Sequence, residues 1–203
     1  MNLIIQGTDE WFASKLGKVG ASRIADVMAE GKGATRRAYM MELLCQRLTG
    51  RYAESYTSPA MQWGIENEAL ARVEYEKRTK TTVLQTGGFP HPTIPNSGAS
   101  PDGLVMDWDK IVGLVEIKCP NTSSHLDFLE DDKIPRRYQL QMTWQMICTE
   151  QTWCDYVSYD PRMPEKYCMK IKRFELDEKL ACDITEAVVQ FLSELDEEER
   201  KYR

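Results

Sequence analysis

The chain has 203 residues, 42% hydrophobic and 29% charged, which is long enough for one packed core and short for two, so a single globular domain over residues 1–203 is expected. A net charge of -6 excludes nucleic-acid binding by bulk attraction, and no apolar run nears the ~18 residues that a membrane span needs. Six cysteines without a Cys-x-x-Cys pair, and two histidines, exclude a tetrahedral zinc centre; reduced cysteines and a start lacking a basic leader fit a cytoplasmic protein.

In chain order, Thr8 followed by Asp9 and Glu10 predicts a short capped helix ending at Gly17. Ser22 is placed to cap a second helix with Ile24, Val27 and Met28 inward. A third runs from Thr35 to Leu48 and stops at Gly50. Positive charge gathers between Lys15 and Arg37, whereas acids crowd residues 194 to 199. Residues 32 to 37, with Lys32, Arg36 and Arg37, read either as a basic loop against a nucleic-acid backbone or as solvated loop charge.

Ser58-Pro59 predicts the start of a helix to about residue 78, with Ile65, Ala69 and Val73 facing inward. Glu68 borders that face; the competing reading is an exposed glutamate among Glu66, Glu74 and Glu76. The period then shortens through Thr82 to Leu84, a Gly87-Gly88 turn and a proline-rich loop. Asn121 predicts a cap for a helix to about Leu129, and residues 134 to 149 a further helix. Residues 153–159 and 167–174 predict strands, and Asp177 opens a last helix with an Ile184, Val188, Phe191 and Leu195 stripe. Helices, a mostly antiparallel strand group, a helix, strands and a terminal helix together predict an α/β fold with a central mixed sheet flanked by helices.

The stretch from Ser100 to Pro120, SPDGLVMDWDKIVGLVEIKCP, carries the chemistry. Asp102 lies between proline and glycine, on turn residues that keep it at an element boundary. If residues 112–118 form a strand, Glu116 and Lys118 share one face while Val115 and Ile117 take the other. A strand apolar on both sides belongs inside a sheet, where an unpaired carboxylate is costly, and a divalent cation between Asp102 and Glu116 would relieve that cost. A surface hairpin with an i, i+2 ion pair is the alternative.

Pro101-Asp102 followed by Glu116-Ile117-Lys118 resembles the PD-(D/E)xK signature of a nuclease superfamily. With WFASKLGKVGAS (residues 11–22), Trp63-Gly64, Glu68, LVEIKCP (114–120), Gln139-Leu140-Gln141 and YDPRM (159–163), the chain resembles the phage lambda exonuclease or YqaJ-like viral recombinase family. The resemblance implies a restriction-endonuclease-like core. It also implies a Mg²⁺-dependent exonuclease that digests the 5′-ended strand of linear double-stranded DNA to leave a 3′ overhang. Members form a ring-shaped homotrimer and work beside a single-strand annealing protein in recombination.

Residue by residue, the resemblance makes Asp102, Glu116 and the Ile117 carbonyl metal ligands, with Glu68 joining at a second ion, two Mg²⁺ per site and Mn²⁺ as a substitute. Lys118 orients or deprotonates the attacking water. Lys15, Ser22, Ser100 and Gln139 correspond to a 5′-phosphate pocket. Trp11 and Met61 correspond to apolar groups that wedge into the DNA end, core packing being the alternative for both. Lambda exonuclease carries arginine where this chain has Lys15, so the planar fork on phosphate is lost here. Two other functions share this core: an endonuclease, and a non-catalytic DNA-end-binding adaptor with a decayed site. The presence of Asp102, Glu116 and Lys118 together argues against decay.

Overall fold

The computed structural model describes residues 8–29, 33–52 and 58–203. Helix α1 (Asp9–Lys15) begins where the Thr8 hydroxyl accepts from the Trp11 N–H, and Gly17, at φ 68°, turns the chain away. A short strand β1 (Val19–Gly20), a 3₁₀ turn (Ala21–Arg23) and α2 (Ile24–Val27) follow; Ser22 lies within that turn instead of capping a helix. Helix α3 (Ala34–Thr49) ends at Gly50, whose φ of 66° supplies the left-handed residue that terminates it.

Helix α4 (Pro59–Thr79) is capped by the Ser58 hydroxyl, but its buried face is not the expected one. Ile65 and Val73 are 65% and 64% exposed, and Ala69 is exposed as well. Asn67, Ala71 and Tyr75 face inward. The two rows lie about 200° apart on the helix, so only one can be covered. The small Ala71 permits close approach to the sheet, and Tyr75 buries a large ring whose hydroxyl donates to Asp155 Oδ2 at 2.8 Å. Ile65 and Val73 have no such fit, and residue spacing alone does not distinguish the rows.

The remaining elements are β2 (Thr82–Leu84), β3 (Phe89–Pro90), β4 (Ser97–Ala99), β5 (Gly103–Asp107), β6 (Lys110–Lys118), α5 (Thr122–Asp131), α6 (Arg136–Thr149), β7 (Trp153–Tyr159), β8 (Met169–Glu175) and α7 (Glu178–Arg200). Five strands form a sheet in the order β2-β5-β6-β7-β8. β6 pairs antiparallel with β5 and, after the crossover through α5 and α6, parallel with β7, so the sheet is mixed and β6 is central. A second sheet, β1-β4-β3, joins the N-terminal helices to the main body.

The fold is therefore a mixed α/β sheet flanked by helices. On one face Ala71 and Tyr75 of α4 meet Val83, Val105, Val115, Ile117 and Val157. On the other, Met142 and Met146 of α6 meet Leu104, Leu114, Cys154 and Tyr156. The outer side of α6, through Trp144 and Cys148, packs with α2, α3 and the Ile184, Val188, Phe191 and Leu195 stripe of α7. Each fully buried aliphatic side chain in these layers contributes roughly 1.5–3 kcal/mol by leaving water. Because β6 is covered on both faces, whatever polar groups it carries must find partners within the protein.

Candidate active site

Asp102 stands one residue before β5, where the Gly103–Val115 register sets it beside the end of β6. Gly103 is required there, because an added Cβ would lie 2.2 Å from Val83 Cγ1. The Asp102 Oδ2 accepts from the Ile117 N–H at 2.7 Å, which ties the turn to the strand. Glu116 points toward α6 and is 0% exposed. Its Oε1 accepts from Lys118 Nζ in a very short contact and from Gln141 Nε2 at 2.6 Å; its Oε2 accepts from Gln145 Nε2 at 2.6 Å. Glu116 and Lys118 thus do share a strand face, and Val115 and Ile117 do face the α4 side.

A cleft of about 670 Å³ opens over this corner. Met61, Ile65 and Glu68 of α4 form one wall; Asp102, Ile117, Lys118 and Cys119 the floor; and Pro120, Arg137 and Tyr138 the other wall. Glu68 therefore turns to the cleft, with Oε1 held by Arg72 Nη2 at 2.6 Å. Glu116 lies beneath the floor, behind Lys118. Burial first, then Glu116 and Glu68, push the Asp102 carboxyl well above its usual range. Burial likewise raises Glu68, partly offset by Arg72. Burial opposes the Lys118 charge, but Glu116 and Asp102 outweigh it and hold the amine well above its ordinary value.

Among the described residues no three His, Cys, Asp or Glu side chains stand together at metal-holding distance. The reason is visible in the bonding: Glu116 is occupied by Lys118 and two glutamines, Asp102 Oδ2 by Ile117, and Glu68 Oε1 by Arg72. The donor set still fits a hard divalent cation. The Asp102, Glu116 and Glu68 carboxylates gather at the end of an apolar strand, and burial first, then Glu116 and Glu68, raise Asp102 against the pull of Lys118, a cost that a bound cation would relieve.

A second concavity, about 240 Å³, is lined by Lys15, Lys18, Gly20, Phe89, Gly98 and Ser100 among others. Trp11 connects its two expected polar residues: Nε1 donates to Ser100 Oγ at 3.1 Å, and Lys15 Nζ lies 3.8 Å from the indole centroid. Burial lowers Lys15 to about 8, against the pull of Asp102. Ser22, exposed on the 3₁₀ turn, does not line this space. Nor does Gln139, whose Nε2 donates to the Ile134 carbonyl at 2.8 Å and whose Oε1 accepts from Arg136. Of the four residues expected around a phosphate, the structure brings Lys15 and Ser100 together.

A family model of the YqaJ-like viral recombinase domain matches residues 10–152, a span that holds every residue of the two cavities described above. The chain belongs to that family. An alkaline exonuclease from Laribacter hongkongensis, LHK-Exo, is 47% identical, with 96% of each chain covered and a TM-score of 0.90. LHK-Exo in complex with dAMP matches with the same values. A phage-related exonuclease of Haemophilus somnus 129PT shares the fold at 15% identity, with 92% of this chain and 96% of that one covered and a TM-score of 0.75. No curated protein gives a sequence match.

The remaining expectations divide. Met61 is 56% exposed at the cleft mouth, available to an incoming ligand. Trp11 is half-buried and serves as a platform for Lys15 and Ser100. Lys32 lies outside the described residues. Arg36 and Arg37 stand in the first turns of α3 instead of on a loop. Arg36 is not a free cation: it forks onto Glu194 of α7 at 2.6 and 3.1 Å and covers Phe191, so the acidic C-terminal helix neutralises it. Arg37 is exposed. Sequence reasoning assigned no role to Gln141, Gln145, Arg72, Arg137 or Tyr138. Gln141 and Gln145 had a usable signal, two amides four apart and flanked by the apolar Met142, Trp144 and Met146.

Proposed function

We propose that this member of the YqaJ-like family is a Mg²⁺-dependent exonuclease that digests the 5′-ended strand of linear duplex DNA, leaving a 3′ single strand for recombination by annealing. The observation that carries the reading is the Asp102–Ile117 bond, which sets the turn carboxylate beside the Glu116-x-Lys118 strand end, in one open cleft with Glu68. The relationship to LHK-Exo supports the reaction class.

Asp102, Glu116, the Ile117 carbonyl and Glu68 would hold the cations. Bound Mg²⁺ would stabilise charge on the attacking and leaving oxygens of an in-line displacement. The chain's own groups do the rest. Gln141 and Gln145 fix the rotation of Glu116, and Arg72 fixes that of Glu68. Lys118, an ammonium as the side chains now stand, can donate to a phosphoryl oxygen; the base role expected for it needs Glu116 and Asp102 to be drawn away from it. Lys15 and Ser100 offer a cation and a hydroxyl to a terminal phosphate. Met61 and Ile65 present an apolar edge against the bases.

A ring-shaped homotrimer, an annealing-protein partner and a cytoplasmic site of action belong to the same proposal. Among the described residues no helix is long and apolar enough to cross a membrane. The test is digestion of linear duplex labelled at the 5′ or the 3′ end, with Mg²⁺, beside a covalently closed circle. Early loss of the 5′ label, a retained 3′ label and an intact circle are expected. Cutting of the circle would make the protein an endonuclease, and no release from either substrate would leave a DNA-end binder.

A further inference from the structure

The catalytic cleft does not end at Lys118. Pro120, Ser124, Arg137 and Tyr138 line both that cleft and a neighbouring concavity of about 270 Å³, and so form a saddle between them. Arg137, in the first turn of α6, is exposed. Its guanidinium lies 4.6 Å from the Tyr138 ring centroid, and Nη2 donates to the Tyr138 hydroxyl at 2.8 Å. Tyr138 in turn stacks on Tyr156 at 5.4 Å and 29°, and Tyr156 meets Phe128 edge-on at 5.0 Å. A half-buried Tyr138, backed by the buried Tyr156 and Phe128 rings, therefore holds the guanidinium at the rim, which reduces the entropy lost when it takes a ligand.

The electrostatics leave this cation without a counter-ion. Arg72, one turn beyond Glu68 on α4, is neutralised by it. Lys118 is paired with Glu116. Among the described residues no carboxylate bonds Arg137, and the helix turn that carries it has no side-chain cap. Beyond the saddle the second concavity is lined by Asp127 and Asp131 as well as Lys133, so its lining carries no excess of positive charge to draw an anion past Arg137. A strand entering a cleft lined by the Glu68 and Asp102 carboxylates, with Glu116 beneath the floor, needs such a positive point beside it.

We propose that Arg137 binds one phosphate of the strand undergoing cleavage, next to the linkage that is hydrolysed, with Tyr138 holding its guanidinium in place. This rests on the nuclease reading. The contact would be a binding determinant that neither the PD-(D/E)xK residues nor the Lys15 cavity supplies.

The test uses the full-length protein with Mg²⁺ and 5′-phosphorylated linear duplexes. Arg137→Gln should raise KM with kcat nearly unchanged, and should lower the slope of log kcat/KM against log salt by about one phosphate contact. Arg137→Lys should restore the slope. Duplexes with one uncharged methylphosphonate at successive linkages from the 5′ end should show the wild type losing about tenfold at one linkage, as for one charge-assisted hydrogen bond, where Arg137→Gln loses nothing further. Unchanged slope and an unchanged methylphosphonate profile in Arg137→Gln, with the wild type active, would overturn the contact alone. A wild type that releases no nucleotides would overturn the nuclease reading and the contact with it.

Discussion

Gln145 Nε2 donates to Glu116 Oε2 at 2.6 Å, and both side chains are wholly buried. A carboxylate on the central strand is thereby fixed by an amide on the covering helix, so the core itself sets its orientation. Gln145→Leu removes that donor while keeping an apolar shape. It should cost roughly 1.5–3 kcal/mol in denaturant unfolding, as expected for a hydrogen bond to a charged group. Turnover should fall at least tenfold and the Mg²⁺ needed for half-maximal rate should rise. Unchanged Mg²⁺ dependence would mean that Gln145 only supports packing.

Asp102→Asn and Lys118→Ala separate chemistry from binding. Either change should reduce nucleotide release by about a thousandfold or more, because several kcal/mol of transition-state stabilisation depends on charge at this site. Duplex binding in a gel-shift assay should persist. Normal turnover in either variant would remove that residue from the reaction.

The lowered pKa of Lys15, about 8, gives a pH dependence with a definite sign. Burial disfavours the ammonium, so the charge is present below pH 8 and is lost above it. The ratio of rates on 5′-phosphorylated and 5′-hydroxyl ends should therefore fall as pH rises through about 8. Lys15→Arg should keep the ratio level, since arginine stays charged. Stability moves the other way. In the window from about 8 to the ordinary lysine value the unfolded chain binds the proton that the fold rejects, so Lys15 makes the fold more stable as pH rises there. A ratio independent of pH would place the phosphate elsewhere.

The two rows of α4 predict opposite mutational costs. Val73→Ser, on the exposed row, should change stability by less than about 0.5 kcal/mol. Tyr75→Phe, on the buried row, leaves Asp155 without one donor and should cost about 1–3 kcal/mol by urea titration. The reverse order of costs would contradict the observed helix orientation.

Much of this protein was legible in its sequence because the determining forces are local. Thr8, Ser58, Asn121 and Asp177 cap helices through their own side chains, and Gly17 and Gly50 end them with positive φ. The alternation around Glu116 gave its strand face, because side chains on a strand repeat every second residue. The family resemblance singled out Asp102, Glu68 and Lys118 together, and the structure places all three on one cleft.

Tertiary structure decided what depends on partners distant along the chain. Whether α4 buries Ile65 or Tyr75 turned on Asp155, eighty residues away, and on the room beside Ala71. Arg36, expected on a basic loop, stands instead on α3 and is paired with Glu194 on α7. Glu116 gained Gln141 and Gln145 because a crossover helix lies against β6, and Arg137 came to the cleft for the same reason. Spacing along one element fixes which side chains share a face. Only packing determines what that face meets, since burial and charge pairing are properties of two surfaces brought together.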